Sequence, residues 1–461
     1  MFLLLLTLSL APPPSNAFLL PKLEIVSTPT LIGEMSSARS DFTATSIPGA
    51  RAILLAGGCD TFNVYAPALD FFVCDDVSST AELFLVNSET FLPLPDLPRE
   101  RYRHSAAYDS GIGKLCLFGG RTLYDDLIPE VDCLDVFPTL GESWVTVGNW
   151  KSPTSDGAAF TGPVPPYSAY ANGKDKDEDK DKEEENPLAM AMFVAGGYDG
   201  DYEPLNQLIY FDPDLRVDDD GFLIVMDAES MEEGRGDFSI AVTADNFQSF
   251  YDVDEGGEDE GDDEDDLRYA FAIGGFNTDF CNPLGSTERY DFTYGTWAKS
   301  AFLEIPRGDM ACAVMDNVPI VFGGEKKNNC SDLVEIVQIE DGELVVSKDV
   351  VLSTPIGEIE AFTGDTNFDF VEGDEYEVIG DVDFDRMRFA GATVGIRFEP
   401  AYVFGGQMKY NRETQLYQCA KEVFRMDFKR VLTESSAGSE TILGLGLGLG
   451  SAVGIAMILM M

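Results

Sequence analysis

The stretch Leu267–Trp297, LRYAFAIGGFNTDFCNPLGSTERYDFTYGTW, contains the pattern that predicts the fold of this chain. An apolar, β-favouring run at Tyr269–Ile273 ends in the doublet Gly274-Gly275, and a polar loop and a second strand-like piece around Tyr290 follow. Two consecutive glycines supply positive φ and allow close backbone approach, as a strand leaving a crowded centre requires. The stretch therefore predicts a strand that ends in a tightly packed turn.

The same strand ending recurs along the chain. Apolar triplets (LLA, CLF, FVA, FAI, IVF and YVF) precede six glycine doublets, whose second residues are Gly58, Gly120, Gly197, Gly275, Gly324 and Gly406. Successive doublets are 62, 77, 78, 49 and 82 residues apart. Self-similarity at such spacing predicts a repeat architecture, in which each unit packs on its neighbours.

These units resemble kelch repeats, in which hydrophobic residues precede a double glycine and a spaced Tyr and Trp follow. Tyr290 and Trp297 match that pattern in the fourth unit, and Trp144 is the corresponding Trp of the second. The resemblance implies an all-β fold, a six-bladed kelch-type β-propeller of the superfamily that includes galactose oxidase. Because repeats close into one body, we expect a single domain over residues 18–430.

Each unit is expected to supply four antiparallel strands, a to d, with the double glycine closing strand b. The sixth unit lacks a fourth strand, since a polar stretch follows its third strand at Glu422–Phe428. Lys22–Val26 is an unassigned β-favouring segment near the other end. We therefore predict a ring closed by an N-terminal strand, with Lys22–Val26 completing the last blade and removing an open sheet edge.

Three polar insertions interrupt the repeats at Lys174–Glu185, Asp252–Asp266 and Glu358–Asp385. Such charge runs bury no apolar surface and repel themselves, which predicts solvated loops. Weak calcium association is the alternative, because clustered carboxylates are hard oxygen ligands, although none of the three has EF-hand spacing.

The beginning of the chain predicts export. Residues 1–17 contain an apolar core at Phe2–Leu10 and small residues at Ser15 and Ala17, the pattern of a signal peptide cleaved after Ala17, although a positively charged start is missing. The junction Ala17-Phe18 also resembles the cleavage site of plastid presequences in algae with complex plastids. The secretory pathway, ending at the cell surface or outside the cell, is the preferred destination.

The end of the chain predicts membrane attachment. Residues 431–461 comprise a short polar spacer and the uncharged segment Thr441–Met461, which is long enough to span a bilayer. The small residues before it resemble a glycosylphosphatidylinositol (GPI) attachment signal, with a spacer shorter than usual. A lipid anchor and a retained membrane helix both remain open.

Eight cysteines, an even count in a chain predicted to be exported, indicate disulfides. Cys59 with Cys74 and Cys116 with Cys133 are the proposed pairs; the other four are left unassigned. Asn329-Cys330-Ser331 fits the glycosylation triplet. Cysteine spacing gives no support for a structural zinc site, and no metal or cofactor is predicted.

Composition narrows the classes of partner. The formal net charge is −51, which argues against nucleic acid because phosphate neutralisation needs clustered Lys and Arg. Contact with a membrane is expected only through the C-terminal tail or a lipid anchor.

Arginines that precede strand a are the candidate binding residues. With lysines and an arginine of the b–c loops they are predicted to form a basic rim for carboxylate or sulfate groups of a peptide or glycan. The predicted set is Arg39, Arg103, Arg235, Arg307, Arg388, Lys326, Lys409 and Arg412. The alternative is that the arginines pair with acidic neighbours and seal the blades. Two of them begin Arg-Gly-Asp triplets, which we interpret as a consequence of the repeat rather than as integrin-binding motifs.

The preferred interpretation is a non-catalytic scaffold that binds a protein or glycan through the face of b–c and d–a loops. Copper-radical oxidase chemistry is excluded because it needs two histidine ligands, and the chain has one histidine, His104. No catalytic residue is assigned. The alternative is a propeller enzyme acting on carbohydrate, of isomerase or lyase type, and carboxylates converging at the axis would favour it over a binder.

Overall fold

The computed structural model describes residues 19–26, 28–66, 71–165, 189–244, 267–277, 282–315, 317–326, 337–340, 343–346, 356–362, 375–394, 400–408 and 417–434. Contacts divide the chain into two units, 23–430 and a second formed by 1–22 with 431–461. The larger unit contains the blades. Among the described residues, no helix is long and apolar enough to cross a membrane.

The regular secondary structure of the described residues is almost entirely β-strand. The first half contains β1 (Leu19–Ile25), β2 (Thr30–Glu34), β3 (Thr43–Ile47), β4 (Ala52–Ala56), β5 (Thr61–Ala66), β6 (Phe71–Cys74), β7 (Ala81–Leu85), β8 (Thr90–Pro93), β9 (Ser105–Asp109), β10 (Lys114–Phe118), β11 (Glu130–Asp135), β12 (Val145–Asn149), β13 (Ala158–Pro163), β14 (Met190–Ala195), β15 (Leu208–Phe211) and β16 (Val225–Asp227). The second half contains β17 (Ser239–Ala244), β18 (Leu267–Ile273), β19 (Ser286–Asp291), β20 (Thr296–Phe302), β21 (Ala311–Met315), β22 (Val318–Phe322), β23 (Val337–Glu340), β24 (Glu343–Val346), β25 (Ile356–Phe362), β26 (Tyr376–Arg386), β27 (Ala390–Ala392), β28 (Ala401–Phe404), β29 (Tyr417–Gln418), β30 (Glu422–Met426) and β31 (Phe428–Glu434). A short 3₁₀ turn at Pro48–Ala50 joins β3 to β4.

Six four-stranded antiparallel sheets form the blades, so the predicted six-bladed all-β propeller is confirmed. Blade 1 contains β3, β4, β7 and β8; blade 2 contains β9 to β12; blade 3 contains β13 to β16; and blade 4 contains β17 to β20. Blade 5 contains β21, β22, β25 and β26, and blade 6 contains β27, β28, β30 and β2.

An N-terminal strand closes the ring, as predicted, but the segment differs. Thr30–Glu34 pairs with β30 as the outer strand of blade 6. Lys22–Val26 was the wrong choice, because it falls mostly in β1, which pairs with β31 in a separate two-stranded sheet. Lys22–Val26 and Thr30–Glu34 both favour extended structure. They differ in their distance along the chain from strand a of blade 1, and the nearer segment is the one that closes the ring.

Strand b of each blade is mostly apolar because both of its faces are covered. In blade 1, Ile53 and Leu55 pack in a core cluster with blade 6, whereas Leu54 packs with blade 2. In blade 2, Leu117 faces blade 1 and Phe118 faces blade 3. Successive side chains of a strand point to opposite faces, so each central strand contributes to two inter-blade cores.

The glycine doublets link neighbouring blades. The second glycine of each doublet donates its N–H to a carbonyl of the next blade around the ring, as Gly275 does to Arg307 at 2.9 Å. Gly275 has φ of +91°, and a Cβ there would lie 2.5 Å from the carbonyl oxygen of Gly236. The equivalent pairs are Gly58 with Arg101, Gly120 with Thr154, Gly197 with Arg235, Gly324 with Arg386 and Gly406 with Arg39. Glycine is therefore required both by conformation and by space.

Both repeat tryptophans lie between blades. Trp144 is buried and donates its indole N–H to the carbonyl of Pro95, just after the outer strand of blade 1, at 3.0 Å. Trp297 donates likewise to Glu229, just after the outer strand of blade 3, at 2.8 Å.

The prediction of a solvated loop at Glu358–Asp385 is wrong. Residues Ile356–Phe362 and Tyr376–Arg386 are the third and fourth strands of blade 5. Their acidic residues alternate with apolar ones, and that period-2 pattern outweighs the high charge of the segment. The other two predicted insertions lie outside the described residues, and so does the calcium alternative that concerned them.

Both proposed disulfides are present, Cys59–Cys74 in the b–c loop of blade 1 and Cys116–Cys133 between neighbouring strands of blade 2. Two disulfides suggest an oxidising environment. Cys312 and Cys419 are free thiols, whereas Cys281 and Cys330 lie outside the described residues.

Candidate functional site

A four-residue segment precedes strand a in every blade, and we call it the lead-in segment. Its six copies are Arg39-Ser40-Asp41-Phe42, Arg101-Tyr102-Arg103-His104, Thr154-Ser155-Asp156-Gly157, Arg235-Gly236-Asp237-Phe238, Arg307-Gly308-Asp309-Met310 and Arg386-Met387-Arg388-Phe389. Because each belongs to a d–a loop, the six segments meet at one end of the propeller.

The second position of each lead-in segment forms an antiparallel bridge with the residue after a glycine doublet. The bridges are Ser40 with Cys59, Tyr102 with Arg121, Ser155 with Tyr198, Gly236 with Phe276, Gly308 with Glu325 and Met387 with Gln407. The d–a and b–c loops therefore share one end of the molecule, which we call the docking face.

The third position of the six segments forms a closed ring around the axis, which we call the axial ring. Its members are Asp41, Arg103, Asp156, Asp237, Asp309 and Arg388, all with φ between 50° and 56°. Each N–H donates to the carbonyl of the preceding blade's member, and Asp41 completes the circle by donating to Arg388 at 3.0 Å. This belt fixes six charged side chains at the centre of the docking face.

Charges in the axial ring are partly paired. Arg103 lies between two carboxylates, with its Nε 3.9 Å from Asp41 Oδ1 and 3.6 Å from Asp156 Oδ1. Arg388 Nε donates to Asp309 Oδ2 at 3.2 Å. Four carboxylates and two guanidinium groups make the ring acidic when all are ionised.

Burial perturbs the ring carboxylates. Loss of solvation raises the pKa of Asp41 to about 6, although Arg388 and Arg103 act against the rise. Burial also raises the pKa of Asp237 well above its ordinary value, and the neighbouring carboxylates of Asp309 and Asp156 add to the effect. The site thus favours protonated carboxyl groups or a cation that compensates for them.

Arginines at the first position of the lead-in segments lie inside the blades. Arg307 is fully buried, donates to the carbonyl of Gly323 at 2.8 Å, and is paired with the buried carboxylate of Glu360 on strand c. Arg39 with Glu82, Arg101 with Asp132 and Arg235 with Glu288 repeat this arrangement in three other blades. These pairs tie the lead-in segment to its own blade.

The predicted binding residues divide accordingly. Arg39, Arg235 and Arg307 are buried in such pairs with acidic residues, which lie within the same blade rather than between blades as the alternative proposed. Both Arg-Gly-Asp triplets are lead-in segments. Arg103 and Arg388 are members of the axial ring. Lys326 is exposed in a b–c loop, while Lys409, Arg412 and the glycosylation candidate Asn329 lie outside the described residues.

The sequence interpretation mixed two positions of the repeat. In the second and sixth units it selected Arg103 and Arg388 at the third position, whereas Arg101 and Arg386 occupy the first. It also missed the ring aspartates Asp41, Asp156, Asp237 and Asp309. An acidic residue two places after the strand-opening Arg or Thr in four units was the signal that could have identified them.

Around the ring, the b–c loops of blades 2 and 3 are joined by a polar cluster. The Tyr202 hydroxyl donates to Asp125 Oδ1 at 2.7 Å, and the Arg121 guanidinium carbon lies 3.7 Å from the centre of the Tyr202 ring. Arg121 Nη2 also donates to the carbonyl of Asp199 at 2.8 Å. Tyr202 and Asp125 both have positive φ, so the cluster holds a strained arrangement of two loops.

The rim of the docking face is acidic in the described residues. Exposed acids of the b–c loops include Asp76, Asp126, Asp201 and Glu203, whereas Lys326 is the exposed basic residue among the predicted rim positions that are described. Tyr124 projects from the blade 2 loop and is 83% exposed. In the described part of the rim, exposed acidic residues therefore outnumber exposed basic ones.

His104 occupies a structural position. Its Nε2 lies 3.1 Å from Thr43 Oγ1, the side chain is buried, and burial lowers its pKa well below the ordinary range. Within the described ranges, no group of three His, Cys, Asp or Glu side chains is arranged to hold a metal ion.

No protein-family model matches the chain, and no curated protein matches it. Solved structures do resemble it, among them the structure of YjhT, with a TM-score of 0.51 and 11% sequence identity over 87% of this chain and 100% of that one. The likeness shows the fold. The chain is a six-bladed β-propeller.

Proposed function

We propose that this protein is a non-catalytic binding scaffold of the kelch type, and that its protein or glycan partner docks on the docking face. The observation that carries the proposal is the axial ring, because the fold brings six charged side chains together at the end where the b–c loops also project. A ring fixed by a backbone belt is preorganised for recognition.

The surroundings of the ring favour recognition over catalysis. Arg103 and Arg388 are in ion pairs with ring carboxylates, and the neighbouring Tyr202–Asp125–Arg121 cluster has its polar groups engaged with one another. Tyr124 is a rigid amphipathic side chain at an exposed loop tip, a residue type enriched in interface hot spots.

A carbohydrate-acting enzyme of isomerase or lyase type is the second candidate. One observation favours it: buried carboxylates do converge at the axis, and the Tyr198 hydroxyl donates to Asp237 Oδ2 at 3.1 Å. Perturbed acids beside a phenol are suited to proton transfer. NMR of any glycan ligand during incubation with the protein distinguishes turnover from simple binding.

The proposed setting is the secretory pathway or the cell surface. The two disulfides support an oxidising compartment. The signal peptide over 1–17 and the anchor within 431–461 remain proposals, and a tagged chain with either segment deleted, followed by cell fractionation, tests them.

The binding proposal is tested with peptide and glycan arrays at low and high salt, followed by titration of the best ligand. Tyr124→Ala should weaken that ligand about tenfold, the effect of a moderate hot spot. The matched control is Tyr294→Ala, since Tyr294 is 68% exposed in the turn between strands c and d of blade 4, at the opposite end. Equal affinities in the wild type and Tyr124→Ala, or a loss confined to Tyr294→Ala, would refute the docking face.

A further inference from the structure

The junction between blades 6 and 1 places three cysteines in neighbouring loops. Cys59 and Cys74 form the disulfide in the b–c loop of blade 1, and Cys419 is a free thiol in the b–c loop of blade 6. A thiol beside a disulfide is the arrangement that thiol–disulfide exchange requires.

Backbone hydrogen bonds hold the segment around Cys419 against blade 1. On one side of it, β29 ends at Gln418 and pairs with β5, which begins two residues after Cys59. On the other side, the carbonyl of Ala420 accepts the N–H of Arg39 at 3.1 Å. Cys419 is therefore fixed beside the start of the blade 1 loop that contains the disulfide.

Ser40 lies between the free thiol and the disulfide. The Cys419 thiol donates to Ser40 Oγ, with the two atoms 3.4 Å apart. Through its backbone, Ser40 exchanges two hydrogen bonds of 2.8 Å with Cys59, so these two residues are directly opposite each other. Side chains of such a pair project from the same face, with Cβ atoms about 5 Å apart. We therefore expect side-chain rotation to be sufficient to bring Cys419 Sγ to Cys59 Sγ.

The surroundings of Cys419 control its reactivity. Burial raises the pKa of the Cys419 thiol to about 12; the carboxylates of Asp41 and Asp60 add to the rise, whereas the hydrogen bond with Ser40 and the charge of Arg388 oppose it. Ser40 Oγ in turn donates to Asp41 Oδ2 at 2.9 Å, which gives the thiol proton a path to a carboxylate. Because the thiolate is the nucleophile, exchange is slow at neutral pH, and a free thiol persists beside an intact disulfide.

We propose that Cys419 exchanges with the Cys59–Cys74 disulfide. The Cys419 thiolate attacks Cys59 Sγ, so that a Cys59–Cys419 bond forms and the Cys59–Cys74 bond breaks. Cys74 leaves as a thiolate and takes up the proton that Cys419 released. One disulfide replaces another, so the step consumes no oxidant and no reductant.

The two disulfide isomers link different parts of the molecule. Cys59–Cys74 closes a short loop inside blade 1, with a sequence separation of 15. Cys59–Cys419 joins blade 1 to blade 6, the first blade to the last. A cross-link between residues far apart in the chain restricts the unfolded state more than a short one. The exchange thus locks the ring and frees one end of the β5–β6 hairpin on the docking face.

Thiol trapping in the wild type tests the exchange. The full chain with its disulfides intact is held at mildly alkaline pH without added thiol, quenched in acid, denatured and labelled with N-ethylmaleimide before non-reducing digestion and mass spectrometry. Labelling of Cys74 should rise, and labelling of Cys419 should fall to the same extent, as a Cys59–Cys419 peptide pair appears. The rate should rise about tenfold for each unit of pH, because the thiolate fraction does. In Cys419→Ser, Cys74 should stay unlabelled.

A second variant tests whether the two sulfurs meet. Cys74→Ser leaves Cys59 without its partner, so oxidative folding should join Cys59 to Cys419. The matched control is Cys133→Ser, which leaves Cys116 without its partner inside blade 2 and should give no bond to Cys419. Melting curves establish that both variants fold.

Cys74 that stays unlabelled in the wild type, or that is labelled equally in Cys419→Ser, would overturn the exchange. A free Cys59 beside a free Cys419 in folded Cys74→Ser would overturn it as well. A Cys74–Cys419 pair in the wild type would show that Cys59 is not the sulfur attacked. If Cys74→Ser does not fold, the labelling of the wild type decides.

Discussion

Replacing Arg307 by methionine should destabilise the protein strongly, because it leaves Glu360 as a buried carboxylate without its charge partner. Both side chains are 0% exposed. Arg307 also donates to the carbonyls of Gly323 at 2.8 Å and Glu358 at 2.9 Å. Breaking a buried pair by removing one partner costs about 3–5 kcal/mol.

Two backbone donors limit the loss. Glu360 still accepts the N–H groups of Glu304 at 2.8 Å and Ile305 at 3.1 Å, so part of its hydrogen bonding survives. Burial already raises the pKa of Glu360, and removal of the arginine should raise it further. A raised pKa in the folded state means that stability falls as the pH rises, so the deficit of Arg307→Met should be smaller at pH 5 than at pH 7.

The assay is urea unfolding of the oxidised protein, followed by fluorescence and circular dichroism at both pH values. The control is Lys299→Met, which breaks an ion pair to Glu232 in which both side chains are 63% exposed. That change should leave the free energy of unfolding almost unchanged, because exposed ion pairs contribute little to stability. If Arg307→Met costs no more than Lys299→Met, the interior pairs do not hold the lead-in segments.

Three further predictions concern the ring, the doublets and closure. Burial raises the pKa of Asp41 from 3.8 to about 6, so the wild-type folded state loses stability as the pH rises through that window. Asp41→Asn has no proton to lose there. Its free energy of unfolding, measured by urea unfolding, should therefore rise by about 3 kcal/mol relative to wild type between pH 4 and pH 7. Gly275→Ala should lower the melting temperature far more than Gly221→Ala, since both have positive φ but only Gly275 meets a backbone oxygen, that of Gly236, at 2.5 Å. Deleting residues 1–34 should destabilise blade 6, whereas deleting 1–29 keeps Thr30–Glu34 and should cost less on thermal unfolding.

Each of these has a contradicting result. A constant difference between Asp41→Asn and wild type across pH would show that this carboxyl does not titrate in the window. Similar melting temperatures for the two alanine variants would mean that the doublet relaxes around an added methyl group. Equal stability of the two truncations would remove β2 as the closing strand.

Local signals in the sequence were sufficient to predict the blades. An apolar run before two glycines is decided by short-range chemistry, because the strand must be buried on both faces and the turn needs positive φ. The close spacing of Cys116 and Cys133 likewise predicted a link between adjacent strands.

The sequence by itself determined the number of blades, their central strands and two disulfides, because each depends on residues that are near one another in the chain. Only the tertiary structure decided that Thr30–Glu34 closes the ring and that Arg307 points into its blade. It alone brought Asp41 beside Arg388, because the register of the lead-in segments is set when the ring closes and each N–H meets a carbonyl of the preceding blade. Arginines close together in the chain therefore occupy different places: Arg101 lies in the blade interior, whereas Arg103 lies at the axis.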